Sequence, residues 1–257
     1  MLQAQPVLLD RALSGLKPQR PGVVDLYVLT FAPYGDEDVF RREGELVASV
    51  MARRFDADGR TVQLLNHPAT ALDRPWATPG HLRHAIERVA RVMDPREDVL
   101  FLHLTSHGAR GGELATSLWP LEFEPVTPGA LRDWLDRAGV RHRVISISAC
   151  FSGSWLPVLA DEDALVMSAA DAEHTSYGCG RLSELTFFGR AMFDEELRTR
   201  TRSFEVAHAR SRDVIRQREI DAGKDDGYSN PQIVVGARIR GVLGRLERRL
   251  ESMPGGR

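Results

Sequence analysis

Two short segments of the chain hold residues that can carry out nucleophilic catalysis. The first, residues 105–108, contains His107, and the second, residues 148–153, contains Cys150. A thiol attacks a carbonyl group as the thiolate, and a nearby imidazole promotes that form and later protonates the leaving group. The residue types therefore indicate covalent catalysis with Cys150 as nucleophile and His107 as base.

Such an attack also needs hydrogen-bond donors for the negative oxygen that develops on the carbonyl group. Gly108 follows His107 directly and has no side chain, so its N–H can be approached closely. The N–H of Cys150 lies where a strand is expected to give way to a loop. We therefore add Gly108 to the candidate catalytic residues.

Each of the two segments directly follows an apolar stretch with the character of a buried strand. Residues 99–104 form a nearly continuous apolar run, and residues 143–148 are rich in β-branched side chains. Strands and helices alternate along the chain, which predicts an α/β fold with a mostly parallel sheet of about six strands and helices on both faces. Working residues gather at the carboxyl ends of such strands. If the two strands are neighbours, His107 and Cys150 lie side by side.

The remaining elements follow from apolar periodicity and turn residues. Strands are predicted at residues 23–30, 61–65, 99–104, 143–148, 164–168 and 233–235. Helices are predicted at residues 37–55, 78–93, 127–138, 185–197 and 204–221, with a last helix ending near Ser252. Residues 113–126 predict a short β-hairpin. No linker divides the chain, so we expect an N-terminal extension at 1–22 and a single domain at 23–257.

Composition narrows the class of protein. The 257 residues carry a formal net charge of −2, which gives no reason to expect a nucleic-acid partner. Only two cysteines occur, so a disulfide framework is not expected and a reducing compartment is the simpler interpretation. The N-terminus does not resemble a signal peptide, and no apolar run is long enough to span a membrane. We therefore expect a cytoplasmic protein.

The two strand-end motifs resemble those of the caspase-like clan of cysteine peptidases, in which one apolar strand ends in His-Gly and another in Ala-Cys. Within that clan the chain is similar to the legumain family, which includes the catalytic subunit of the glycosylphosphatidylinositol transamidase. Residues 148–155 resemble the legumain pattern Glu-Ala-Cys-Glu-Ser-Gly-Ser. Residues 168–179 resemble Ala-Ala-Asn-Pro-x-Glu-Ser-Ser-Tyr-Ala-Cys, and residues 40–43 resemble Tyr-Arg-His-Gln.

The resemblance implies a caspase-like fold and a cysteine endopeptidase that acts on protein or peptide substrates without metal or cofactor. It implies a dyad of His107 and Cys150, with the amides of Gly108 and Cys150 as the oxyanion hole. It also implies that Arg41 and Ser176 line the pocket for the residue before the scissile bond, as a family that cleaves after Asn would require.

Two positions depart from the legumain pattern, because Ser148 and Phe151 stand where the family has acids. We include Ser148 among the candidate substrate-binding residues. The loss of negative charge predicts an arginine pocket that accepts Asp as well as Asn. An acid such as Glu184 could restore the balance.

Several alternatives stay open at this point. A transamidase would use the same acyl-enzyme with an amine acceptor, and an inactive scaffold of the same fold would only bind partners. His103 and His107 have a spacing that binds zinc on a helix, but here they fall on a strand, so no metal site is expected. Cys179 is interpreted as structural. The oligomeric state is not predicted.

Overall fold

The structure, a computed structural model, describes residues 2–253 of the chain except for the side chain of Glu122. Met1, the first residue of the predicted segment 1–22, lies outside the described residues. The same is true of residues 254–257, the last of the predicted segment 23–257. None of the helices in the described part combines the length and the apolar character that crossing a membrane requires.

One mixed sheet forms the centre of the described chain. The strands are β1 (Leu26–Ala32), β2 (Thr61–Leu65), β3 (Val99–Thr105), β4 (Ser117–Leu118), β5 (Leu121–Glu122), β6 (Arg143–Ser148), β7 (Ala164–Ser168) and β8 (Gln232–Val235). Six of them form the sheet in the order β2-β1-β3-β6-β7-β8, with only β8 antiparallel to its neighbour. This order confirms the predicted mostly parallel sheet.

Helices cover both faces of the sheet. They are α1 (Gln5–Ser14), α2 (Asp38–Arg54), α3 (Pro79–Ala90), α4 (Pro128–Ala138), α5 (Leu156–Leu159), α6 (Phe187–Gly189), α7 (Phe204–Asp221) and α8 (Ala237–Ser252). One apolar cluster joins the sheet to α1, α3, α4 and α5, and a second joins its other face to α2, α6, α7 and α8. The central strands β1, β3, β6 and β7 are buried along their whole length, which explains why their sequences lack polar alternation.

Local sequence signals account for two of the helix starts. The Thr78 hydroxyl accepts a hydrogen bond from the His81 amide at the start of α3, and the Thr127 hydroxyl accepts one from the Ala130 amide at the start of α4. A proline follows each threonine, at a position where no amide hydrogen is needed. Both helices were predicted from this pattern.

Helix α1 lies in the segment predicted as an N-terminal extension. Its side chains Leu9 and Leu13 are buried in the cluster that also holds α3 and β1. The Gln5 amide donates to the Ala71 carbonyl and accepts from the Trp76 backbone N–H. This segment is therefore packed against the sheet layer, and its leucines at helical spacing were the sequence signal.

Two further elements were only partly predicted. The hairpin expected within residues 113–126 is present as the antiparallel pair β4–β5. The helix expected at 185–197 is two helical pieces, α6 and a π-helical stretch at Arg190–Leu197. Periodicity cannot separate these helix types, because the same apolar face is buried in both.

Candidate active site

Strands β3 and β6 are adjacent and parallel, and they end together. Thr105 of β3 pairs with Ser148 of β6, and the next amide, that of Ser106, donates to the Ser148 carbonyl at 3.2 Å. His107 and Cys150 therefore each lie two residues beyond the end of their strand, at the same edge of the sheet. The predicted juxtaposition of these two strand ends is confirmed.

Gly108 packs directly against the backbone of the candidate nucleophile. A Cβ atom built on Gly108 would lie 2.2 Å from the Cys150 carbonyl oxygen, closer than any real contact. Only glycine fits at this point, so the His-Gly pair is required for the two strand ends to come together. Within residues 2–253, neither the Gly108 amide nor the Cys150 amide has a hydrogen-bond acceptor.

A sharp turn directly after Cys150 gives the nucleophile its position. Phe151 adopts a left-handed conformation with φ of 56°, which costs about 1–3 kcal/mol for a residue of this size. Its amide donates to the His174 carbonyl at 3.0 Å. Gly153 then passes close to Asp171, where a Cβ atom would lie 2.6 Å from backbone atoms. The loop after β7 thus holds the turn that carries Cys150.

The imidazole of His107 is fixed on several sides. Its Nε2 atom lies 2.7 Å from Oε2 of Glu37, at the start of α2. The rings of Tyr34 and Phe40 contact it edge-on, with centroids at 4.7 and 5.0 Å. About a third of the His107 side chain is exposed. Glu37 was not predicted from the sequence, because no local pattern links the β1–α2 loop to the end of β3.

The sulfur of Cys150 lies against the loop after β7. Its Sγ atom is 3.6 Å from the Ser176 carbonyl oxygen, and it is hydrogen-bonded to the thiol of Cys179. The hydrogen bond from Cys179 lowers the pKa of Cys150 to about 7, although burial opposes it and Ser176 adds to it. The same bond, together with burial, raises the pKa of Cys179. Cys150 is therefore the more acidic thiol of the pair.

This arrangement differs from the expectation that Cys179 is merely structural. Cys179 packs beside Ala32, Val39 and Phe40, and so lies between the sulfur of Cys150 and the aromatic side chains around His107. The two cysteines belong to different loops, and their spacing in the sequence gave no sign of the contact. Both thiols are free in this structure.

His107 and Cys150 are not hydrogen-bonded to each other in the part of the chain that the structure describes. The bond to Glu37 occupies Nε2, so Nδ1 is the ring nitrogen left for the thiol. Catalytic hydrogen bonds are often long in a free enzyme and tighten when substrate binds. The structure therefore brings the two residues to one edge without a formed dyad.

Ser148 lies beneath this edge rather than on it. Its side chain is buried and its hydroxyl is 3.2 Å from that of Thr186, which in turn donates to Glu43 at 2.5 Å. Glu43 also bonds to Nε2 of His103 at 3.1 Å. Ser148 is thus part of a buried polar network, and we do not assign it a direct contact with substrate.

The same network bears on the zinc alternative. Nδ1 of His103 is 3.1 Å from the Ser146 hydroxyl, and its Nε2 is bonded to Glu43, so both ring nitrogens have protein partners. His103 and His107 point to different partners, Glu43 and Glu37. Among the described residues, no group of three or more His, Cys, Asp or Glu side chains is arranged to hold a metal ion.

The residues that the sequence suggested for the substrate pocket, Arg41, Ser176 and Glu184, have different surroundings in the structure. Arg41 bonds to Asp38 and to Glu45, each at 2.7 Å, so its charge is compensated within α2. Burial alone would lower the pKa of Arg41, and these carboxylates raise it. Ser176 is mostly buried and meets Cys150 through its backbone carbonyl. Glu184 is exposed and pairs with Arg190.

An open cleft of about 460 Å³ lies beside the His107–Glu37 contact. Its lining carries three carboxylates and two groups that can be cationic, the side chains of Asp36, Glu37, Asp38, His67 and Arg181. Arg181 was not singled out from the sequence, because an arginine in a loop carries no distinctive pattern. The cleft offers both hydrogen-bond acceptors and donors to a peptide side chain.

A family model described as the peptidase C13 family matches residues 80–233, which is more than half of the chain and includes both strand ends. The chain belongs to the peptidase C13 family. The resemblance to legumain-like cysteine peptidases that the motifs indicated is thereby confirmed.

Solved structures show that this C13 chain has the fold of a caspase. A crystal structure of caspase-1 from Spodoptera frugiperda matches with a TM-score of 0.58 and 14% identity, covering 86% of this chain and 93% of that one. A structure titled pro-sf-caspase-1 matches with a TM-score of 0.54 and 10% identity, covering 82% and 91%. At such identities only the fold is shared. No curated protein matches the chain.

Proposed function

We propose that the chain is a cysteine endopeptidase in which Cys150 is the nucleophile and His107 the general base and acid. The observation that supports this most is the shared edge of β3 and β6. There, Cys150 follows one strand end, His107 follows the other, and within the described residues the amides of Gly108 and Cys150 have no hydrogen-bond acceptor. These are the groups that acyl transfer by a thiol requires.

The reaction has two halves. The Cys150 thiolate attacks the scissile carbonyl carbon, and the oxygen that becomes negative accepts hydrogen bonds from the Gly108 and Cys150 amides. The C–N bond breaks as His107 gives its proton to the amine, leaving a thioester on Cys150. A water molecule, deprotonated by His107, then attacks the thioester, which releases the acid and restores the thiol.

Selectivity for Asn before the scissile bond, with Asp second, fits the charges of the site. The sequence predicted an arginine pocket depleted of acids, which would accept Asp as well as Asn. In the structure, Asp38 and Glu45 compensate Arg41, and the cleft combines carboxylates with Arg181. An amide side chain can both donate to a carboxylate and accept from a guanidinium, whereas a carboxylate can only accept.

The decisive test compares Cys150→Ala and His107→Ala with the unaltered protein on peptides that differ only in Asn, Asp, Ala or Arg before the bond. Cys150→Ala should abolish turnover, and His107→Ala should lower kcat by roughly 10²- to 10⁴-fold. Both should keep the thermal midpoint, since both side chains are partly exposed. Turnover by Cys150→Ala would refute the nucleophile.

Two controls separate the alternatives. Adding a primary amine to the reaction yields an aminolysis product if the acyl-enzyme prefers an amine to water, as a transamidase would. A thiol-reactive peptide probe should label Cys150, whereas a binding scaffold with a blocked edge would stay unlabelled. A preference for Arg or Lys before the bond would contradict the proposed cleft chemistry.

A further inference from the structure

Glu37 holds the imidazole that the proposed reaction uses. Its Oε2 atom lies 2.7 Å from Nε2 of His107, a distance typical of a charge-assisted hydrogen bond. The Glu37 carboxylate is mostly shielded, with 17% of the side chain exposed. The motif resemblance implied His107 and Cys150 as a dyad and assigned no role to Glu37.

Glu37 lies directly before α2, and its side chain is available to bond to His107. Glu37 is the N-cap residue of α2, with extended backbone angles, yet its carboxylate does not cap the helix amides. Negative charge near a helix N-terminus is favourable in itself. Here the side chain instead turns toward the end of β3 and bonds to His107.

The aromatic contacts complete the restraint on the ring. Tyr34 and Phe40 contact each other and both meet the imidazole at nearly right angles. Such packing limits the tilt of the ring, while the bond to Glu37 fixes its rotation and the tautomer. A proton on Nε2 leaves the lone pair of the neutral ring on Nδ1, for which the described part of the chain shows no hydrogen-bond partner.

We propose that Glu37 is a positioning residue for His107, so that Nδ1 is held as the base toward Cys150. This inference rests on the proposed function. Glu37 touches neither the substrate bond nor the sulfur, and its effect passes through the ring. By fixing the tautomer and stabilising the imidazolium formed during attack, it acts as the acid of a serine-protease triad does.

The test compares Glu37→Ala, Glu37→Gln and the control Asp133→Asn. Glu37→Ala should lower kcat by roughly 10- to 10³-fold with KM nearly unchanged, because the ring is no longer oriented. Glu37→Gln keeps an oxygen that accepts from Nε2–H, so it should recover part of that loss. Asp133 is exposed on α4, where it pairs with Arg137, and it should give unaltered kcat.

Two results would overturn the inference. Glu37→Ala with unaltered kcat would show that the contact is incidental, and a rise in KM alone would make Glu37 a substrate contact. The ¹⁵N shifts of the His107 ring should also report loss of the Nε2–H tautomer in Glu37→Ala. Turnover by Cys150→Ala in the same assay would instead count against the proposed function, so the two failures are distinguishable.

A second and independent observation concerns the two thiols. The Cys150 sulfur lies 3.6 Å from the Ser176 carbonyl oxygen, in the loop that leads to Cys179, and the two thiols are close enough to shift each other's pKa. Gly178, the residue before Cys179, has a φ of 84°, a left-handed conformation that favours glycine. Both thiols are partly exposed, so a small oxidant can reach them.

We infer that this pair is a reversible oxidation site for peroxides. The Cys150 thiolate attacks the O–O bond of hydrogen peroxide, forming the sulfenic acid and releasing hydroxide, which takes up a proton to become water. The Cys179 sulfur, losing its proton, then attacks the sulfenic sulfur and expels a second water, leaving a Cys150–Cys179 disulfide. The bond would protect Cys150 from further oxidation while it blocks the nucleophile.

Intact mass after peroxide treatment tests this without any assay of activity. The unaltered protein should lose the mass of two hydrogens and both titratable thiols, and dithiothreitol should restore both. Cys179→Ser and Cys179→Ala should instead gain oxygen atoms that dithiothreitol does not remove. Added oxygen without loss of both thiols in the unaltered protein would overturn the inference.

Discussion

The thiol contact has a measurable consequence at the scale of single residues. Because the pKa of Cys150 is lowered to about 7, its thiolate forms at lower pH than that of an ordinary cysteine. The rate of alkylation by iodoacetamide should therefore rise with pH through about 7 and then level off. Mass spectrometry of the labelled peptide gives the rate at each pH.

Removing the partner should reverse this shift. The Cys179 hydrogen bond is the largest cause of the low pKa, whereas burial acts in the opposite direction. In Cys179→Ala the pKa of Cys150 should rise, and the midpoint of the alkylation profile should move to higher pH by at least one pH unit. An unchanged midpoint would show that Ser176 and the turn, rather than Cys179, set the acidity.

At the same scale, the types of residue indicated the candidate site, whereas the contacts of those residues with other side chains could not be predicted. Cys150, His107 and Gly108 stood out because each follows a recognisable strand and has a distinctive chemistry. Glu37 and Cys179 gave no such signal, since their importance comes from contacts between loops that are distant in the chain. The charge on Arg41 was also misjudged, because its compensation by Glu45 depends on which face of α2 each side chain occupies.

At the scale of elements, the parallel pairing of β3 and β6 depends on close backbone approach just beyond the strands. Gly108→Ala would place a Cβ atom against the Cys150 carbonyl, and something in the backbone must shift. We expect kcat to fall by roughly 10²-fold or more, because both proposed oxyanion donors lie at this contact. Kinetics on a cleavable peptide, beside a thermal midpoint, measure the effect.

A matched control is available in α4. Gly129→Ala adds the same methyl group where nothing lies within 4 Å. It should leave kcat unchanged and raise or maintain stability, since alanine favours a helix. If Gly108→Ala kept full activity, the edge would tolerate movement that the proposed oxyanion hole does not allow.

The elements themselves were largely predictable, for physical reasons that differ between them. Strands buried on both faces are recognisable in the sequence as apolar runs, and threonine–proline pairs mark where α3 and α4 begin. The π-helical stretch at Arg190–Leu197 was not predictable, because one extra residue in a turn barely changes the apolar pattern. The buried pair of Glu43 and His103 was not predictable for a different reason, because the contact joins α2 to β3, which are distant in the sequence.

At the scale of the whole molecule, the sequence divided the chain at residue 22, but the packing does not stop there. Helix α1 contributes to the same apolar cluster as β1, β3 and α3, and the Gln5 side chain satisfies two backbone groups near Trp76. We expect an N-terminal segment that hydrogen-bonds to buried backbone groups to unfold together with the rest of the domain. The fold thus continues N-terminal to the predicted domain start.

Leu13→Ala tests that continuity. Leu13 is 2% exposed, so its truncation should leave a cavity and lower the free energy of unfolding by about 2–4 kcal/mol. The urea midpoint of the full chain should fall accordingly, while kcat and KM should not change, since α1 contacts neither strand end of the site. Leu2→Ala, at a side chain that is 63% exposed, is the control and should leave the midpoint in place. Equal midpoints for Leu13→Ala and the unaltered protein would mean that α1 unfolds separately and that the cooperative domain begins after it.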